Sequence, residues 1–132
     1  MVCLIDANKL MEYKAPAPWT RYVRILIDPE KFKQTPLSLA LFRYEPGQVG
    51  PQHSHQRETE IYFTIEGTGI VEVDNKEYEV KQMTILYIPP GAIHQSRNPG
   101  NKDWIFIAIH VPPYDYSAVQ KWTQVERDPR LG

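Results

Sequence analysis

Twelve prolines and seven glycines cut this 132-residue chain into short runs enriched in Val, Ile, Tyr, Phe and Thr. That pattern is the signature of many short strands joined by turns, so the sequence predicts an all-β fold. Strands are expected over residues 21–27 and 37–44, from Glu60 to Ile65, and over residues 84–88 and 104–111. Residues 69–80 alternate on both sides of Asp74-Asn75, a pair able to take the left-handed turn conformation, and read as a hairpin. The run ending at Ile88 is stopped by Pro89-Pro90-Gly91, and His53-Ser-His55 reads as the end of a strand or an edge. After Pro112-Pro113, residues 117–122 are expected to make one or two helical turns, and the polar tail 125–132 to be loose.

A chain of 132 residues with 42% hydrophobic content is the size of one ordinary domain, and it can bury roughly two thirds of its unfolded surface. We divide it into an N-terminal arm (1–20), a β-barrel (21–113) and a C-terminal extension (114–132). Fifteen basic against sixteen acidic residues, with no long run of either sign, argue against nucleic acid as a partner. The single cysteine, Cys3, cannot form an internal disulfide and reads as structural rather than reactive. No basic flank with an apolar core opens the chain, and no apolar run approaches a membrane span, so a cytoplasmic protein without a membrane partner is expected.

The chemistry gathers in two stretches. Side chains two apart in a strand project the same way, so His53 and His55 can bind one ion. Glu60 follows after Gln56-Arg57-Glu58-Thr59, a connection long enough to reverse direction and bring the next strand beside the histidines. His94 arrives from a distant part of the chain, directly after the Pro-Pro-Gly turn. Glu58 is the one local rival to Glu60.

These residues carry a resemblance to the cupin superfamily, in its small single-domain form. Its first motif is matched by Gly47, His53, His55, Glu60 and Gly67, and its second by Pro89, Gly91, His94 and Asn98. Met83 stands where the family usually has the leading glycine of the second motif, a departure that touches a turn rather than the ligands. The resemblance implies a double-stranded β-helix, the jelly-roll barrel, holding one divalent transition metal per chain on His53, His55, Glu60 and His94. Nitrogen and oxygen donors without thiolate favour Fe²⁺ or Mn²⁺ and also admit Ni²⁺, Co²⁺, Cu²⁺ or Zn²⁺, with two positions of an octahedral ion left open.

Period-two phase places Tyr62 and Thr64 on the face of Glu60, and Ser96 and Asn98 on that of His94. On the last long strand, alignment on Pro112 with similar small cupins puts Ala108 and His110 inward. His110 is the candidate acid or base, since an imidazole titrates near neutrality, and Tyr62 is the second candidate catalytic residue. A packing role for Tyr62 and a supporting or buried role for His110 are the alternatives, and Phe42, Tyr44 and Trp104 read as core aromatics, with an aromatic mouth as the alternative.

The resemblance implies a metal-dependent enzyme acting on a small oxygenated organic substrate, by dioxygenation or by metal-assisted isomerase or lyase chemistry. The alternative is a sensor or sugar-binding cupin that holds a metal and ligand without turnover. Oxalate-handling cupins usually carry an arginine three residues before the first histidine of the pair, where this chain has Gly50; Arg24 and Arg43 are the other cations considered for that role. Small cupins commonly form homodimers, and residues 21–27 are the segment considered for the extra strand pairing.

Overall fold

The Asp74-Asn75 turn takes φ values of 47° and 70°, the left-handed pair that joins two strands with matching twist. It links strands β5 (Gly69–Val73) and β6 (Lys76–Val80), and β5 pairs on its other side with β8 (His94–Arg97), all antiparallel. In this computed structural model, which describes residues 2–125, these three strands form the smaller of two sheets. The larger sheet runs in the order β10 (Thr123–Gln124), β1 (Tyr13–Lys14), β2 (Tyr22–Ile27), β3 (Ser38–Tyr44), β9 (Trp104–Val111), β4 (Thr59–Glu66) and β7 (Ile85–Ile88). The two antiparallel sheets face each other as a jelly-roll barrel.

Alternation decides what lies between them. Along β9 Trp104, Phe106, Ala108 and His110 are buried while Ile105, Ile107 and Ile109 are half-buried on the outside; along β4 the buried set is Glu60, Tyr62 and Thr64. Registered pairs stack these residues in layers: Glu60 opposes His110, Tyr62 opposes Ala108, and Thr64 opposes Phe106. The deep end is an aromatic core in which Trp104, Phe106, Tyr44 and Tyr62 have ring centroids 4.3 to 5.8 Å apart. Trp104 Nε1 donates to Thr64 Oγ1 at 3.1 Å, which satisfies the polar edge of a fully buried indole. Polar side chains therefore gather at the opposite end of the same interior.

The predicted strands appear with small shifts at their ends, and β9 has the bounds expected of it. Residues 117–122 contain one 3₁₀ turn, Val119–Lys121, which seats Val119 and, just before it, Tyr116 against Val23, Ile25 and Ala40. Val125 donates its backbone N–H to Glu12 O; the rest of the tail expected to be loose lies outside the described residues. The outer edge of β2 is already paired with β1 at Tyr22 and Val23, so that part of the strand offers no free edge to a second copy. Met83 adopts φ 68°, a conformation that suits glycine and costs a residue with a Cβ about 1 kcal/mol. Cys3 is exposed, so the expected structural role for it has no packing behind it. No helix among the described residues is long and apolar enough to cross a membrane.

Candidate metal centre

An isolated bridge between His53 and His94, with both backbone bonds at 2.8 to 2.9 Å, ties the first histidine to the start of β8. Gly91 donates its N–H to His55 O at 2.8 Å, so the turn before β8 is fastened to the second histidine as well. With Glu60 at the head of β4, one donor atom from each of His53, His55, Glu60 and His94 lies within 4.8 Å of the others. From Glu60 Oε2 the Nε2 atoms stand at 2.7 Å (His94), 3.5 Å (His55) and 4.0 Å (His53). Donors at about 2.1 Å from one octahedral ion are separated by about 3 Å when adjacent and about 4.2 Å when opposite, so small movements of these side chains bring the group onto a single ion.

The tautomers are set from behind. His53 Nδ1 lies 3.0 Å from Pro51 O and His94 Nδ1 lies 3.0 Å from Ala92 O. A carbonyl can only accept, so both Nδ1 atoms carry the proton, and both Nε2 lone pairs point toward Glu60. His55 has a carboxylate behind it instead, with Glu58 Oε2 at 4.0 Å from its Nδ1. The rival ligand thus stands on the far side of His55, beyond hydrogen-bond distance of its ring.

Buried Glu60 Oε2 and His94 Nε2 have no hydrogen-bond partner in acceptable geometry, although only 2.7 Å separates them. Two lone pairs so close require a cation between or beside them. A proton can supply it: burial disfavours a charged His94, but Glu60 outweighs burial and raises its pKa. A divalent ion supplies it better, since it also satisfies the lone pairs of His53 and His55. Burial, reinforced by the positive charge of His94, lowers His53 to about 4, and burial lowers His55 too, so both remain neutral ligands at pH 7. Burial alone would raise Glu60; the hydrogen bond from His110, and His94 when it carries the shared proton, overturn it and hold the carboxyl well below its ordinary range.

His110 Nε2 stands 3.2 Å from Glu60 Oε1, the oxygen turned away from the histidine trio, and the Tyr116 hydroxyl is 3.4 Å from its Nδ1. The ring bridges Tyr116 and Glu60, and Nε2 is the nitrogen that donates. Tyr62 is buried one layer deeper, with its ring 6.2 Å from that of His94; burial, then Glu60 and Tyr44, raises its pKa well above 10, so the phenol keeps its proton. Ser96 Oγ is a third buried atom without a partner on this wall. Tyr114 and Tyr116 are site residues that the sequence pattern does not single out. The Tyr114 ring lies 5.2 Å from both His55 and His110 and lines the mouth. Their even-numbered parity continues the inward set of β9 past Pro112-Pro113, a signal the two prolines obscure. The site opens on one side: the His53 side chain is 35% exposed and that of His55 14%, against 1% for His94.

Arg24 and Arg43 do not serve this mouth. Arg43 contacts Glu12, Glu45 and Asp103, and Arg24 contacts Glu12 and Ala7 O, so both are consumed in fastening the N-terminal arm to the outside of the barrel.

Residues 40–110, more than half of the chain, match the family model described as a cupin domain. The chain belongs to the cupin family. It is 34% identical over 94 residues to an uncharacterized protein of Methanocaldococcus jannaschii, covering 71% of this chain and 75% of that one. It is 29% identical over 104 residues to a glucose-6-phosphate isomerase of Thermococcus kodakarensis, covering 67% of this cupin and 55% of the isomerase. It is also 35% identical over 65 residues to a 5-nitrosalicylic acid 1,2-dioxygenase of Bradyrhizobium, covering 49% and 31%. The cupin thus spans about half of the isomerase and under a third of the dioxygenase. Among solved structures, a predicted oxalate decarboxylase from Thermotoga maritima superposes with a TM-score of 0.77 at 20% identity, covering 83% of this chain and 99% of that one, which supports the barrel fold.

Proposed function

We propose that this cupin is a metal-dependent enzyme that acts on a small oxygenated organic molecule by dioxygenation. The observation that carries the reading is the pair of buried, unpartnered lone pairs on Glu60 and His94, joined by two neutral imidazoles on the solvent-open side. His53, His55, Glu60 and His94 would hold the metal; Fe²⁺ or Mn²⁺ would supply redox chemistry and two exchangeable positions to such a donor set.

The chain's own groups do the rest. His110 holds Glu60 Oε1 and keeps the carboxylate ionised and oriented, which makes it a positioning residue. The Tyr62 phenol, protonated at neutral pH, is a fixed donor for an oxygen of the substrate. Aromatic walls from Tyr62, Phe106 and Tyr114 keep water from the inner side.

Isomerase or lyase chemistry through an enolate asks for a base to take a carbon-bound proton. The groups flanking Glu60 are poorly suited to that role, because His110 Nε2 faces Glu60 and Tyr62 ionises only far above neutrality. Dioxygenation makes no such demand, and a dioxygenase stands among the relatives beside the isomerase. The test is oxygen consumption by the iron-loaded protein against a panel of small phenols, enols and hydroxy acids. Substrate-dependent uptake of O₂ is expected. Turnover that persists under argon would move the protein to isomerase or lyase chemistry, and a tightly held compound that is never converted would make it a binding module.

A further inference from the structure

Gly50 lies three residues before His53 and donates its N–H to Ser96 O at 2.9 Å, two residues on from His94. A Cβ built at Gly50 would come 2.5 Å from the Tyr44 hydroxyl and 3.5 Å from Cδ of Arg21. The position is therefore closed to any side chain, because a phenol from β3 and the stem of the arginine just before β2 already fill it. Arg21 precedes by two and four residues Val23 and Ile25, which pack in the cluster around Ala40 and Tyr116, whereas Arg24 and Arg43 meet the acidic cluster around Glu12.

Arg21 is half-buried as a residue, and its guanidinium is underused. One Nη donates to Trp19 O at 2.8 Å, and the Trp122 ring lies 5.2 Å from Cζ, but no carboxylate among the described residues pairs with it. Of five N–H groups arranged to grip a planar anion, one hydrogen-bonds among the described residues. The Tyr44 hydroxyl reaches from the aromatic core to this same point, and Trp122, under the guanidinium, packs against the same apolar cluster as Tyr114. Tyr114 in turn is the ring against His55.

We propose that Arg21 forms a carboxylate subsite on the open side of the metal centre, flanked by Tyr44 and Tyr114, so that the substrate is a small organic acid. The acid group lies on Arg21 and a second oxygen, a hydroxyl, enol or ketone, faces His53 and His55. The location of that second oxygen rests on the metal-centre reading; the Arg21 contact does not. A single planar fork suits one carboxylate, and a phosphate dianion would ask for a second cation.

The test uses the full chain, metal-loaded, and isothermal titration with glycolate, 3-hydroxypropanoate and 4-hydroxybutanoate, each beside its neutral amide and beside inorganic phosphate. At least one of the three acids is expected to bind tenfold or more tightly than its amide, with phosphate weaker. Arg21→Gln should weaken that acid about 10- to 100-fold and leave the amide unchanged, as loss of charge-assisted hydrogen bonds requires. Arg21→Lys should fall between. The same titration on the His53→Ala protein separates the two readings: an Arg21-dependent preference for acid over amide that survives there stands even if the wild-type protein holds no metal. Equal acid affinity in wild-type and Arg21→Gln proteins of matching thermal stability, no preference for acid over amide, or tighter binding of phosphate would overturn the subsite.

Discussion

Replacing His110 by phenylalanine removes the donor that holds Glu60 Oε1 at 3.2 Å while filling a similar volume at the base of the site. Two consequences follow from the contacts. Glu60 is left with a buried, unpaired oxygen, and the hydroxyl of buried Tyr116 loses the ring nitrogen 3.4 Å away. Loss of a partner that orients a metal-ligating carboxylate typically lowers metal affinity by 10- to 100-fold, or about 1.4 to 2.7 kcal/mol. We expect that loss for Co²⁺ or Mn²⁺ measured by competition with a chromophoric chelator at pH 7. The drop in thermal stability should be comparable in metal-free and metal-loaded protein only if His110 is mere packing. A positioning role makes the loaded form lose more. Tyr116→Phe keeps the imidazole and should cost less than a factor of ten in affinity. Metal affinity unchanged in His110→Phe, with turnover abolished, would refute the orienting role and return His110 to the part of acid or base.

Two glycine-related substitutions test the barrel that carries the site. Gly69→Ala should destabilise severely, by more than about 3 kcal/mol in urea denaturation, because the new methyl would overlap the indole of fully buried Trp104. Met83→Gly should gain up to about 1 kcal/mol by relieving the φ of 68°, with the Met83 N–H to Thr64 O bond retained; a loss of stability there would show that the exposed methionine packs against something.

Short-range patterns were the legible part. Alternation along residues 60–64 and 104–110 sorted inner from outer side chains, and Asp74-Asn75 announced its turn, because period two and left-handed φ are local properties. The four donors that spacing groups together are together in space. Pairings set by the closed barrel were not legible. The two-residue strands Tyr13–Lys14 and Thr123–Gln124 carry no periodicity of their own and exist because β2 offers them an edge. The arginines show the same limit from the other side: Arg21, Arg24 and Arg43 look alike as residues, and only the register that turns two of them toward Glu12 and one toward Gly50 separates their roles. Glu58 is a rival ligand on spacing alone, and the loop places it behind the His55 ring, away from the other donors.

The central claim, that these four side chains form one metal site, is tested most directly by elemental analysis of protein purified without added metal. About one divalent transition metal per chain is expected for the wild type, with stoichiometric metal lost in His53→Ala and His94→Ala and weakened retention in Glu60→Ala. Full metal content in the His53→Ala protein would contradict the assignment.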